Sequence, residues 1–178
     1  MVNAEGILNR DPRRTPEPGL IAPSGSRYLF LDFDGVLNSA SAFARLKGTY
    51  AAGKCIDPEA VKRLDRIVEA TNCAIVVSSA WRQLYDNYDL YRTLRHYGSE
   101  WACLNLYSQT GSYGDRPFEV RQWLHTEADG IGYVILDDTD FDWDKDQRSH
   151  LVLTTWELGL LDEHVDKAID ILMKGGME

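Results

Sequence analysis

Residues 28–38 read YLFLDFDGVLN, an apolar run that leads into two aspartates and a glycine. A short apolar run that ends in polar residues is typical of a buried strand in a parallel sheet. Two later stretches repeat the pattern, AIVVS at 74–78 and YVILD at 133–137. Amphipathic helical patterns lie between them, so the sequence predicts a three-layer, doubly wound, Rossmann-like α/β fold. In such folds ligands bind beyond the carboxyl ends of the strands, where the polar residues fall here.

The rest of the chain completes one domain. Further elements are predicted as helices at 58–70, 88–97, 117–128 and 162–173 and as a strand at 150–154 (HLVLT). Residues 39–55 make a long connection and are expected to form a small cap or flap over the site. The aromatic-rich stretch 81–113 is expected to supply a second covering element. Residues 1–26, rich in Pro, Gly, Arg and Ser, are expected to be a flexible tail, which leaves 27–178 as the folded domain.

The composition excludes several classes of protein. No apolar stretch is long enough for a secretory signal or a membrane span, which predicts a cytoplasmic protein without membrane contact. The net charge of −9 argues against broad, nonspecific binding of duplex DNA, although a small basic groove stays open. Cys55, Cys73 and Cys103 are odd in number and form no CxxC pair, so reduced thiols are expected and not disulfides or a zinc site.

Two carboxylates lie at the end of the first strand, Asp32 and Asp34, with Gly35 directly after them. Two acids in one turn suit two roles: Asp32 can attack phosphorus, while Asp34 can protonate a leaving oxygen and later activate water. Gly35 permits the tight turn that such a loop needs. The alternative is an Asx-type turn, in which Asp and Gly occur for backbone reasons alone.

Hydroxyl and guanidinium groups follow the second strand in the sequence Ser78-Ser79-Ala80-Trp81-Arg82. Serine hydroxyls can bond a phosphate oxygen, and the Arg82 guanidinium suits bidentate contact with phosphate. A serine at a strand end also commonly caps the next helix, so the structural interpretation stays open.

The third strand ends in an acidic pair, Asp137 and Asp138, which are the hard oxygen ligands that Mg²⁺ prefers. The aspartates within 140–146 do not fit a calcium loop, because the glycine and the glutamate of that motif are missing, and a solvated acidic loop is expected. Arg116 precedes the helix before this strand, where a cation can balance the carboxylates and a phosphate. Arg121 on the same helix fits a surface charge better.

These ordered motifs, DFDGVLN, SSAWR, an arginine before a helix and VILDD, resemble the four motifs of the haloacid dehalogenase (HAD) superfamily over residues 28–172. The R-x-x-E-V-x-x-WL stretch at 116–124 and the terminal HLVLT…GLLDEHVDKAIDIL further resemble the HAD domains associated with RNA-repair proteins. The resemblance implies a HAD-type phosphatase that uses Mg²⁺ and forms an aspartyl-phosphate intermediate.

The resemblance also implies a role for each matching residue. Gly35, Ser79 and Arg82 are expected to contact the substrate, and Ser79 is the alternative to Ser78 as the hydroxyl of the second motif. The catalytic and metal-binding positions are Asp32 (nucleophile and metal ligand), Asp34 (general acid/base and main-chain metal ligand), Ser78 (phosphoryl-binding hydroxyl), Arg116 (in the place of the usual lysine), and Asp137 and Asp138 (metal ligands).

The resemblance to the domains of RNA-repair proteins suggests a nucleic-acid end as the substrate, in particular the 3′-phosphate of RNA or DNA. Basic and aromatic side chains could contact a backbone and stack on a base, although packing inside the fold is an alternative for the aromatic ones; they are Arg82, Arg92, Arg95, Trp81, Tyr85, Tyr88 and Tyr91. Two further alternatives are a phosphatase of small metabolites or nucleotides, and a noncatalytic binding module that keeps the fold.

Overall fold

A computed structural model describes residues 27–46, 55–127 and 132–175. Its strands are β1 (Tyr28–Leu31), β2 (Ala74–Val77), β3 (Leu106–Gln109), β4 (Tyr133–Asp137) and β5 (Leu151–Leu153). Its α-helices are α1 (Ala40–Arg45), α2 (Pro58–Thr71), α3 (Asn87–His96), α4 (Arg116–Glu127), α5 (Lys145–His150) and α6 (Asp162–Lys174). Two 3₁₀ helices span Ala80–Gln83 and Ala102–Asn105. The predicted N-terminal tail and residues 47–54 of the predicted flap lie outside the described residues.

The five strands form one parallel sheet in the order β3-β2-β1-β4-β5. The chain runs outward from β1 to β3 and then returns to the other side of β1, so the winding direction reverses between β1 and β4. Ligand sites of doubly wound folds lie at the carboxyl ends of the strands at this reversal. The predicted α/β class is confirmed, and its reversal point falls between the strands that end in the aspartates.

The two faces of the sheet are covered by different helices because side chains alternate along each strand. Leu29 and Leu31 of β1 pack with apolar residues of α2, α3 and α6, whereas Tyr28 and Phe30 pack with Val120 and Trp123 of α4. This is the division that right-handed crossovers predict, since after the reversal of direction the helix between β3 and β4, which is α4, lies on the face opposite α2 and α3. The Trp123 ring meets the Tyr28 ring edge-on, with the centroids 4.9 Å apart.

Helix α2 illustrates how the local sequence sets these elements. The Asp57 side chain accepts a hydrogen bond from the Glu59 N–H at 3.0 Å, and Pro58 supplies a first helical residue that needs no hydrogen-bonded N–H. The helix ends at Asn72, which adopts the left-handed conformation with φ 51°. Leu64 of its buried face is fully buried, which contributes about 1.5–3 kcal/mol relative to an exposed side chain.

The stretch 81–113, which was expected to cover the site, belongs to the main fold. It does not form a second covering element: β3 pairs with β2 as an edge strand, and α3 packs into the core through Leu90 and Leu94. Two short helices, α1 and α5, were not predicted, and His150 ends α5 instead of opening the last strand. Helix α1 occupies the start of the segment predicted as a flap.

Candidate active site

Two buried aspartates lie side by side at the carboxyl edge of the sheet. Leu31 of β1 is in register with Leu136 of β4, so Asp32 and Asp137 are the next residues on neighbouring strands. Asp32 is 5% exposed and Asp137 is fully buried. Asp138 follows, and one carboxylate oxygen from each of the three lies within 4.8 Å of the others. The structure therefore brings three of the predicted metal ligands together.

Arg116 at the start of α4 joins the two strands electrostatically. Its Nη1 donates to Asp32 Oδ2 and also to Asp137 Oδ2, the latter at 2.6 Å. The arginine side chain is 13% exposed, and its guanidinium carbon lies 5.4 Å from the centre of the Phe141 ring. Burial alone would lower the pKa of Arg116, but the negative charges of Asp32 and Asp137 outweigh it and raise that pKa. The predicted cation contacts the predicted nucleophile.

The cluster of Asp32, Asp137, Asp138 and Arg116 carries a net negative charge. Asp32, Asp137 and Asp138 carry three formal negative charges against the single positive charge of Arg116. Burial raises the pKa of Asp137 to about 6; Arg116 opposes this shift, and Asp32 adds to it. Burial likewise raises the pKa of Asp138. Oxygen ligands with a net charge of about −2 fit a divalent cation such as Mg²⁺.

Gly35 shapes the turn after Asp32, where the backbone approaches the Asp138 side chain. It has φ +71°, its N–H donates to Asn38 Oδ1 at 3.0 Å, and its carbonyl accepts from Thr154 Oγ1 at 2.7 Å. A Cβ atom built on Gly35 would lie 2.0 Å from Asp138 Oδ2. The contact of Gly35 with substrate stays a prediction; in the structure its backbone groups bond within the protein, and its missing side chain makes room for Asp138, a metal-ligand candidate.

Asp34 is exposed, in contrast with Asp32, yet both of its oxygens accept hydrogen bonds. Asn38 Nδ2 donates to Oδ1 at 2.7 Å, and Trp81 Nε1 donates to Oδ2 at 3.0 Å. Only the position of Asn38 in the motif could have indicated the first contact. Base stacking and packing inside the fold were both open for Trp81, and in the structure its ring packs on Phe33, with the centroids 4.9 Å apart.

The two serines after β2 differ in their partners. Ser78 Oγ is buried, and no described residue forms a hydrogen bond with it. Ser79 Oγ accepts the Trp81 N–H at 3.3 Å and so caps the 3₁₀ helix at 80–83. Because Leu31 is in register with Val77, Ser78 follows β2 at the level at which Asp32 follows β1. This geometry favours Ser78 as the phosphoryl-binding hydroxyl and gives Ser79 a structural role.

The sequence of this chain matches a known protein family. The family described as "HAD domain in Swiss Army Knife RNA repair proteins" matches residues 28–165. The chain belongs to this HAD family. Its membership indicates a domain of the phosphohydrolase superfamily and agrees with the sheet order and with the four motifs. A search of curated proteins finds no match.

Within this HAD domain, Arg82 bonds other parts of the framework, and its contact with substrate stays a prediction. Its side chain is 7% exposed, and Nη2 pairs with Glu119 Oε2, a residue to which the sequence analysis gave no role. Nη1 donates to the carbonyls of Ser78 and Ser79 at 2.7 and 2.6 Å, and Nε donates to the carbonyl of Gly111 at 3.1 Å. Arg82 thus links the 3₁₀ helix at 80–83 to α4.

The acidic loop after β4 serves the fold of the HAD domain. Asp140 pairs with Arg148 at 2.8 Å, and Asp144 caps α5 and pairs with Arg121 at 3.1 Å. Both pairs are largely exposed, in line with the expected solvated loop and with Arg121 as a surface charge. No helix in the described part of the chain is long and apolar enough to cross a membrane.

Proposed function

We propose that this protein is a Mg²⁺-dependent phosphomonoesterase that forms an aspartyl-phosphate on Asp32. The observation that carries the proposal is the contact of Arg116 with both Asp32 and Asp137 at the carboxyl edge, beside Asp138. An attacking carboxylate and a phosphate repel each other, so fixed positive charge between them is a requirement of this chemistry. Family membership supports the same class of reaction.

The chain's own residues divide the reaction into two steps. In the first, Asp32 attacks phosphorus, the bond to the leaving oxygen breaks, and Asp34 gives its proton to that oxygen. In the second, Asp34 takes a proton from water while the water oxygen attacks phosphorus, which releases phosphate and restores the Asp32 carboxylate. Arg116 and the Ser78 hydroxyl bind oxygens of the transferring phosphoryl group.

Asp32, Asp137 and Asp138 would hold the Mg²⁺ together with the main-chain carbonyl of Asp34. When bound, the ion offsets the negative charge of the carboxylates and the phosphoryl group. A cation between these carboxylates agrees with the net negative charge around Asp137. It also agrees with the space beside Asp138 that the missing side chain of Gly35 leaves.

For the substrate we propose the phosphorylated end of an RNA or DNA strand, in keeping with the family's description. Asp34 is exposed, so the end of a long molecule can reach it without the rest of the molecule being enclosed. On α3, Tyr88 is 57% exposed and Arg92 lies 6.0 Å over its ring, a combination that suits a base and a backbone phosphate. Tyr85 and Tyr91, by contrast, pack against the core.

Phosphate release from a panel of esters tests the proposal. The panel contains an aryl phosphate, mononucleotides, and RNA and DNA oligomers with 3′- or 5′-phosphates, each with and without Mg²⁺. We expect Mg²⁺-dependent release that Asp32→Asn abolishes while the variant stays folded, and faster release from oligomer ends than from mononucleotides. Full activity of Asp32→Asn would exclude the covalent scheme, and a preference for mononucleotides would exclude the proposed substrate.

A further inference from the structure

The carboxylate of Asp34 is held at both oxygens although it is exposed. An exposed aspartate is normally solvated and rotates among several orientations, so fixed donors to both oxygens are a notable restraint. Here Asn38 bonds Oδ1 at 2.7 Å and Trp81 bonds Oδ2 at 3.0 Å. Each carboxylate oxygen has a further lone pair, so either one can still exchange a proton with a reacting group.

Asn38 is itself fixed. Its side chain is buried, and its Oδ1 accepts the Gly35 N–H at 3.0 Å while its Nδ2 donates to Asp34. The two contacts together determine which end of the amide is oxygen and which is nitrogen, since Gly35 supplies a donor and Asp34 an acceptor. The asparagine therefore ties the carboxylate to the same turn that carries it.

Trp81 is fixed by a second set of contacts. Its backbone N–H bonds Ser79, its ring stacks on Phe33 at an interplanar angle of 23°, and the ring of Tyr85 lies 5.6 Å away. The next residue, Arg82, anchors the 3₁₀ helix to α4 through Glu119. The indole N–H can only donate, and its acceptor is Asp34 Oδ2.

We propose that Trp81 and Asn38 are positioning residues that hold the Asp34 carboxyl group in line with the leaving oxygen. This inference rests on the proposed function. When the P–O bond to the leaving group breaks, the proton on Asp34 passes to the departing oxygen, and Asp34 is left as the carboxylate that Trp81 and Asn38 stabilise. Fixed orientation raises the rate of such a transfer because the acid need not search for its partner.

The consequence depends on the leaving group. An alkoxide leaves slowly without a proton, whereas a nitrophenolate leaves readily without one. Loss of the Trp81 N–H should therefore slow the cleavage of an alkyl phosphate much more than that of an aryl phosphate. General damage to the site would slow both equally.

The experiment compares Trp81→Phe with wild type in single-turnover release of alcohol from glycerol 2-phosphate and of nitrophenol from 4-nitrophenyl phosphate, both with Mg²⁺. Phenylalanine keeps an aromatic ring next to Phe33 but has no N–H. We expect a roughly ten- to hundredfold loss in the first step with the alkyl ester, an aryl-ester change of less than about threefold, and a KM within about twofold. Trp101→Phe, a matched change at a 39% exposed tryptophan outside the site, should leave both rates unchanged.

A second variant tests the other oxygen. Asn38→Ala removes the amide donor to Asp34 together with the acceptor for Gly35 and adds no charge, and we expect the same selective loss from it. Circular dichroism and thermal unfolding report whether each variant is folded. Equal losses on both esters, or no loss on the alkyl ester in either folded variant, would overturn the inference. Wild type that cleaves neither these esters nor the phosphorylated oligomers would overturn the proposed function itself, and the inference with it.

Discussion

Substitution of Gly35 by alanine should damage both stability and metal binding. The residue has φ +71°, and the left-handed conformation costs an L-residue about 1–2 kcal/mol. The new Cβ would also lie 2.0 Å from Asp138 Oδ2 and 2.2 Å from its Cγ, closer than real Cβ contacts come. Overpacking of this kind costs about 1–3 kcal/mol, so a total loss of about 2–5 kcal/mol is expected.

Gly98→Ala is the matched control. Gly98 has φ +93°, but no atom lies within 4 Å of the position that its Cβ would take. This variant therefore carries the backbone strain without the clash, and the difference between the two variants isolates the cost at Asp138. Urea unfolding of both proteins at one Mg²⁺ concentration gives the two free energies of unfolding.

Metal binding gives a second measurement of the same change. Asp138 must move away from the new methyl group, so the Mg²⁺ concentration for half-maximal phosphatase activity should rise about tenfold or more in Gly35→Ala. It should stay at the wild-type value in Gly98→Ala. Equal destabilisation by the two substitutions, with an unchanged requirement for Mg²⁺, would refute the role given to the missing Cβ.

Two further predictions concern the framework. Asp65→Ala should lower the free energy of unfolding by about 3–5 kcal/mol in urea titrations, because Asp65 accepts four hydrogen bonds from residues 99–102. The control Asp86→Ala removes one capping bond from α3 and should lower that free energy by about 1 kcal/mol. Similar losses in the two variants would contradict the role given to Asp65. Burial lowers the pKa of His164 below its ordinary 6.5, and its Nδ1 accepts the Leu161 N–H. Its stabilising effect is therefore complete above pH 6.5 and is lost as the pH falls below it, so the stability advantage over His164→Gln should shrink in that range; an advantage that grows on acidification would reverse the argument.

The sequence predicted the parts of the fold that depend on apolar periodicity. Strands β1, β2 and β4 are continuous apolar runs because they are buried on both faces. Helices α2 and α6 have clear apolar stripes because each is buried on one side. Strand β3 reads LYSQ and is only half-buried after its first residue, so an edge position leaves it without an apolar pattern. Helices α1 and α5 have six residues each, too few for a stripe to show.

Some contacts of the candidate site could be predicted from the sequence, and others could not. That Asp32 and Asp137 lie close together could be predicted from the sequence, since each ends a predicted strand of one parallel sheet. The register of β1 and β4 then makes them neighbours. The role of Arg82 could not be predicted, because a guanidinium near a phosphate motif looks the same whether it meets substrate or a buried glutamate 37 residues later. Trp81 was ambiguous for the same reason: the direction of an indole N–H is a tertiary property.

The buried Arg82–Glu119 pair explains how two distant parts of the chain keep a common geometry. Burying an ion pair costs desolvation that its mutual attraction does not always offset, so stability alone is a weak reason for it. This pair connects the 3₁₀ helix whose Trp81 bonds Asp34 to the helix whose Arg116 bonds Asp32. Glu119 also accepts the N–H groups of Tyr113 and Gly114 through its other oxygen, which fixes the loop before α4. The pair therefore links the donor to Asp34 with the donor to Asp32, and the proposed acid and nucleophile need a constant relation between these two carboxylates.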